Sequence, residues 1–437
     1  MPKSAFSPPA TARRLVPSEP PDRTAPLPLR HRLPGHLPLP RLGPTDRAVL
    51  WLYALTRVGV WTTAYCTGRL FTGDGKAQRA PSMMSRWEQW DWGYYLHIAR
   101  DGYFPAPVPG AVLGSGAATP DNREAFFPGF PLLLRAVHLL IRDWTAAGLL
   151  ISFVAGAVAV LSLARIAELD GRSARTSVAG RGATRLPDDG NGTGSRAVLF
   201  LLLSPCAVFL AAGYTEALFL AFALPCWLAA KRGNWPLAAA LAAAATTVRI
   251  SGLFLGAALV VQLLTSGPLT KRLRLLHWPA LSALPALVYA WYLHARTGDW
   301  MAWKHAEERG WYRTFHSPWQ AWRHTWDGAF DHTQATPYAL LFQFELVAMA
   351  VGLALLCLLL KRRRWPEAVY LGLSLWALGT SYWYMSVPRA SLLWWPLWTG
   401  LAAWSVRRPW LTTAYVCVAA PLATVLTVAF TSGRWAG

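Results

Sequence analysis

Charge is scarce in this chain. Asp, Glu, Lys and Arg make up 15% of its 437 residues, against about 25% in an ordinary soluble domain. Hydrophobic residues reach 54% and mean hydropathy is +0.26. The composition excludes a disordered protein and argues against a single soluble globule, because a soluble chain of this length has too little interior for so much apolar surface. Acids are the scarcest charges, 22 against 42 Lys plus Arg, a formal charge of +20. Cysteine is sparse too: Cys66, Cys206, Cys226, Cys357 and Cys417 are scattered, and no pair has metal-ligand or redox spacing. They read as passive buried thiols. No apolar h-region follows the first basic residues, so the start does not read as a secretory signal.

The basic excess is not spread along a face with interleaved aromatics, as nucleic-acid binding would need. It sits in short clusters between apolar runs: Lys231-Arg232, Lys271 to Arg274, Lys361 to Arg364 and Arg407-Arg408. That is the pattern of loops held on the cytoplasmic side of a membrane. The partner implied is a lipid bilayer, with no nucleic acid.

Residues 1–45 are rich in Pro and Arg with no long apolar run, and read as a disordered cytoplasmic tail or a Pro-rich ligand for a partner domain. From Ala48 the chain becomes a polytopic membrane region, 46–437. Its apolar segments are 48–66, 146–167, 196–213, 215–230, 235–248, 250–266, 276–296, 338–360, 367–385, 390–406 and 410–430. The expected fold is all-α with about eleven transmembrane helices. With the N-terminus inside and Phe126 to Ile141 lying on the outer surface, every dense basic cluster falls inside. If that segment spans, they fall outside, against the positive-inside rule. Two long polar stretches are then outside, 67–145 and 297–337. The Asn191-Gly192-Thr193 sequon falls inside and is discounted.

The first outer loop holds the most unusual stretch, Arg86 to Tyr103. Trp87, Trp90, Tyr94 and Ile98 have helical spacing and predict an interfacial amphipathic helix, on which Glu88 and Asp91 share a face. A carboxylate beside three Trp at the bilayer surface is partly desolvated and could serve as a base. Alternatively Asp91 caps a helix or pairs with an Arg. His97 has no second ligand at metal spacing, and no metal site is expected.

Five stretches carry a family resemblance. They are Trp90-Asp91 with Tyr94-Tyr95, Ile98-Ala99 and Gly102-Tyr103; Phe126 to Pro131; Gly213-Tyr214-Thr215-Glu216-Ala217-Leu218-Phe219; Thr247-Val248-Arg249-Ile250-Ser251-Gly252; and Ser386-Val387-Pro388-Arg389. In this order they resemble motifs of the PIG-V family of mannosyltransferases, polytopic glycosyltransferases of GT-C type. Gly129-Phe130 and Gly213 depart from the family pattern, which bears on the acceptor.

The resemblance implies inverting transfer of mannose from a polyprenyl-phosphate mannose donor to a glycolipid or glycan acceptor on the extracytoplasmic side of the cell membrane. It requires no cofactor and puts Asp91 in the place of the essential acid. The chemistry needs a base near the attacking hydroxyl, for which Asp91 is the candidate with Glu88 and Glu216 as further acids. It also needs cations for the leaving phosphate, a role that suits Arg249 and Arg389 unless they snorkel to headgroups. Glu216 could orient Asp91, pair with Arg249 or hold a sugar hydroxyl. Trp90, Tyr94 and Tyr214 offer faces to the sugar. Lys304, His305, Glu307 and Glu308 of the second outer loop read as a solvated face or acceptor contacts. A transporter or flippase for a polyprenyl-linked sugar or lipid is the alternative, and would need ionisable residues in mid-span and an internal repeat. The spans read as nearly free of such charges, apart from Glu345, and no repeat is evident. A non-catalytic scaffold is a third reading.

Overall fold

The computed structural model describes residues 42–71, 82–105, 122–179, 192–266 and 269–437. The tail expected over 1–45 lies almost wholly outside these, as do residues 180–191. The described residues form helices joined by turns, with no strand among them.

A Pro-rich chain can be all-helical because of where the prolines stand. Eight helices carry Pro in their first turn, where the missing N–H would have no partner and φ is already helical. Acids and amides complete these starts. The Asp46 carboxylate accepts from Gly43 N at 3.0 Å and the Asn234 side chain from Leu237 N at 3.3 Å.

Among the described residues, three helices are long and apolar enough to cross a membrane: Trp144–Arg172, Thr336–Lys361 and Trp410–Thr431. The amphipathic helix Gly129–His138 has 10 residues, about 15 Å, and is too short to cross. Pro44–Leu70, with 27 residues, covers the expected segment 48–66. It corrects the reading of charge-free spans, because Arg57 lies in its middle and is buried. Other expected segments are shorter or broken. The run 196–213 is helical only to Leu202; Pro205 cannot continue the helix, and a tight turn at Ala207–Leu210 follows. The run 276–296 divides into pieces around Pro279 and Pro285. Of the cysteines, Cys206 and Cys226 are buried as expected, whereas Cys66, Cys357 and Cys417 are exposed on helix faces.

The core is built on Thr215–Lys231, which packs between Trp144–Ala179 and the Ala-rich Trp235–Val248, since small side chains let helix backbones approach. The two ends of this helix differ in charge. Lys231 Nζ lies 2.7 Å from Asp170, and Arg364 Nη2 reaches the same carboxylate at 2.8 Å. Arg165 pairs with Asp46 at 3.2 Å one turn away. Glu216 stands at the opposite end, 15 residues or about 22 Å along the axis.

Candidate active site

The stretch 86–103 is not one helix. Ser85–Trp87 forms a single tight turn, Trp90 takes a positive φ of 51°, and the helix proper is Asp91–Asp101. Trp87 is therefore buried in the core and Trp90 exposed, and Glu88 and Asp91 do not share a helix face. Tertiary bonds explain the break: the Tyr214 hydroxyl donates to Gln89 O, and Trp90 Nε1 donates to Arg434 O at 3.3 Å. The break makes Asp91 the first residue of its helix, where unpaired backbone N–H groups favour an anion.

Glu216 occupies a matching place, second in the helix Thr215–Lys231. Arg249 caps the C-terminal end of Trp235–Val248, where a cation is favoured. Arg389 stands on the short helix Val387–Ala390. The four groups meet. Arg389 Nη1 donates to Asp91 Oδ2 and Arg389 Nε to Glu216 Oε1, both at 2.6 Å. Arg249 Nη1 donates to Glu216 Oε1 and to Thr215 Oγ1, again at 2.6 Å. Glu216 is fully buried, Arg389 6% exposed, Asp91 12% and Arg249 26%. Both readings left open for Asp91 and Glu216, as partners of Arg residues, are therefore observed geometry. Both guanidinium groups are engaged by carboxylates in this arrangement.

Arg389 is held from three further directions. Its guanidinium lies over Phe209, 4.5 Å from the ring centroid, and over Tyr214 at 4.9 Å, so the broken segment after Leu202 supplies its floor. Glu345, from Thr336–Lys361, accepts from Ser386 N at 2.7 Å and Val387 N at 2.8 Å. Those bonds pin the turn in which Ser386 takes φ +63°. Glu345 thus positions Arg389, a role the sequence does not reveal, although a lone acid in an apolar helix is the signal for it.

A cavity of about 420 Å³ opens beside the cluster, lined by Asp91, Arg249, Arg389, Tyr95, Lys304 and Glu307 among others. Residues of the stretch 303–315 close its far side. Lys304 and Glu307 face the cavity, while His305 pairs with Asp299 at 2.7 Å and Glu308 with Lys304. Glu307 bonds Arg313 at 2.9 Å, and burial pushes its carboxyl above the usual range, Arg313 opposing and Asp91 adding. Of the eight expected site residues, Asp91, Arg249 and Arg389 line the cavity, and Glu216 ties the two Arg together from behind. Tyr214 is buried beneath Arg389. Tyr94 stacks on the cavity-lining Phe126 at 4.7 Å. Trp90 packs on the cavity-lining Trp435, and Glu88 accepts from Thr145 Oγ1 at 2.6 Å without lining the cavity. Lys304 and Glu307, weighed as acceptor contacts or a solvated face, line the cavity, and Tyr95 joins them without having been selected as a site residue.

The two glycines that depart from the family pattern have packing causes. A Cβ on Gly213 would lie 2.6 Å from the Trp92 indole, and one on Gly129 2.7 Å from the Thr247 carbonyl. Both positions are closed to larger residues by neighbours of the site. No group of three or more His, Cys, Asp or Glu able to hold a metal occurs among the described residues. No protein-family model, curated protein or solved structure matches the chain.

Proposed function

We propose that the chain is a polytopic membrane glycosyltransferase of GT-C type, similar to the PIG-V mannosyltransferases. It transfers a mannosyl residue from a polyprenyl-phosphate donor to a lipid-linked or cell-envelope glycan acceptor. The observation that carries this is the meeting of Asp91, Arg249 and Arg389 at one cavity wall with Glu216 behind them, two of the four 298 positions apart in sequence and joined by a 2.6 Å bond. A structural scaffold has no need of two acids and two guanidinium groups beside an open cavity.

In this reading the acceptor hydroxyl attacks the anomeric carbon and passes its proton to Asp91, whose Oδ2 is steadied by Arg389. The bond from that carbon to the phosphate oxygen breaks, its electron pair stays on the oxygen, and polyprenyl phosphate leaves. One direct displacement inverts the anomeric centre. The burial pattern divides the two cations. Arg389 is engaged by two carboxylates and organises the base, whereas Arg249, with 26% exposure, is the group for the leaving phosphate. About eleven spans are proposed, the shorter apolar helices included, with the cavity extracytoplasmic and the N-terminus cytoplasmic. What supports that orientation is the gathering of Lys231, Arg364 and Arg165 around Asp170 and Asp46 at the end remote from Glu216.

The test is transfer by purified protein from radiolabelled polyprenyl-phosphate mannose to a membrane lipid extract. Asp91→Asn keeps shape and loses basicity, so the rate is expected to fall about 10²-fold or more. Full transfer by Asp91→Asn removes it as the base. Absence of any transfer from polyprenyl-phosphate sugars by the wild type removes the reading.

A further inference from the structure

Arg57 is the most anomalous charge in the molecule. It sits in the middle of Pro44–Leu70 at 5% exposure, and its Nε, Nη1 and Nη2 are all buried without a hydrogen-bond partner. Its contact is the Tyr53 ring, 5.1 Å from the guanidinium carbon. The Tyr53 hydroxyl donates to Phe153 O at 2.8 Å, and no hydrogen bond joins its oxygen to the guanidinium. Buried charges are normally paired, and a guanidinium offers five N–H donors in a fixed fork. Here the fork lines a cleft of about 210 Å³ with Trp61, Leu149, Leu150, Phe153 and Ala211. None of these side chains is acidic. The cleft shares no lining residue with the cavity beside Asp91.

The position narrows the ligand. The stretch Trp144–Arg172 has 29 residues, about 43 Å, against about 30 Å of hydrocarbon. Leu149 and Phe153 lie about 8 and 14 Å from its Trp144 end, along the apolar stretch of that helix. The surface around the mouth is apolar: Val58, Leu150, Phe153 and Val154 are all exposed there. A free aqueous anion has no polar route to this place. A phosphate carried on acyl or prenyl chains has one, because its tails lie along that surface while the head meets the fork. We propose that the cleft between Pro44–Leu70 and Trp144–Ala179 is a binding site for a membrane lipid through its phosphate, with Arg57 as the phosphate ligand and a place separate from the Asp91 cavity.

The experiment uses the full chain, delipidated in neutral detergent, with phosphatidylglycerol, a phosphate-free digalactosyl lipid of the same tails, and inorganic phosphate as probes. Native mass spectrometry reads retained lipid, and a thermal midpoint reads stabilisation. Wild type is expected to retain one phosphatidylglycerol in preference to the galactolipid, and Arg57→Gln to retain it at least about tenfold less well. Arg57→Lys, keeping charge without the fork, should fall between. Equal retention by wild type and Arg57→Gln overturns the site. Equal retention of the two lipids by wild type overturns it too, and that arm decides the matter if Arg57→Gln does not fold. Stabilisation by inorganic phosphate that matches and displaces the lipid overturns the lipid as the source.

Discussion

Arg389→Met tests the organisation of the ionic cluster most directly, because it keeps side-chain bulk and removes the charge. The substitution deletes two charge-assisted bonds of 2.6 Å, to Asp91 and Glu216. It leaves two carboxylates, at 12% and 0% exposure, without that cation. Two bonds to charged groups at about 1.5–3 kcal/mol each give about 3–6 kcal/mol, in line with the 3–5 kcal/mol typical of breaking a buried pair from one side. Arg249→Met should cost less, about 1.5–3 kcal/mol, because Arg249 is more exposed and Glu216 keeps Arg389. Adding Asp91→Asn to Arg389→Met removes the charge that loses its ion pair, whereas Glu216 keeps Arg249, and should recover about 1–3 kcal/mol. Reversible unfolding in mixed micelles, titrated with a denaturing detergent, would measure the three. If Arg389→Met is as stable as wild type, or Arg249→Met is the costlier, the cluster is not the buried, Arg389-centred network described.

Two other outcomes follow from the same geometry. Arg249→Lys keeps the charge and loses the paired donors, so initial rates across donor concentrations should show a defect against donor, smaller than in Arg249→Ala and absent against acceptor; wild-type kinetics would remove the phosphate role. Glu307 has a carboxyl held above its ordinary range, chiefly by burial, so the folded chain binds more protons there than the unfolded one. Its contribution is present below about pH 4.3, the unfolded value, and is lost as pH rises through the folded value. Thermal midpoints of wild type should therefore decline over that window relative to Glu307→Gln, and parallel profiles would refute the burial.

Helix positions were legible in the sequence because they follow from short-range facts: apolar runs, and prolines in first turns where no N–H is needed. The set Asp91, Glu216, Arg249 and Arg389 was singled out on the motifs that carry the family resemblance, supported by the cost of charge in a chain this apolar. Which charge touches which was not legible, since a pairing between residues 91 and 389 depends on how the helices stack. Periodicity alone put Trp87, Trp90 and Tyr94 on one face; the chain instead breaks at Trp90, because bonds from Gln89 to Tyr214 and from Trp90 to Arg434 cross more than a hundred residues. The same long-range packing buries Tyr214 under Arg389 and turns Glu345 into a clamp on the backbone of Ser386 and Val387. Arg57 shows the division most sharply. Its presence inside an apolar run can be read from one line of sequence, whereas its lack of any partner is a property of everything that packs around it, and only the tertiary structure decides that.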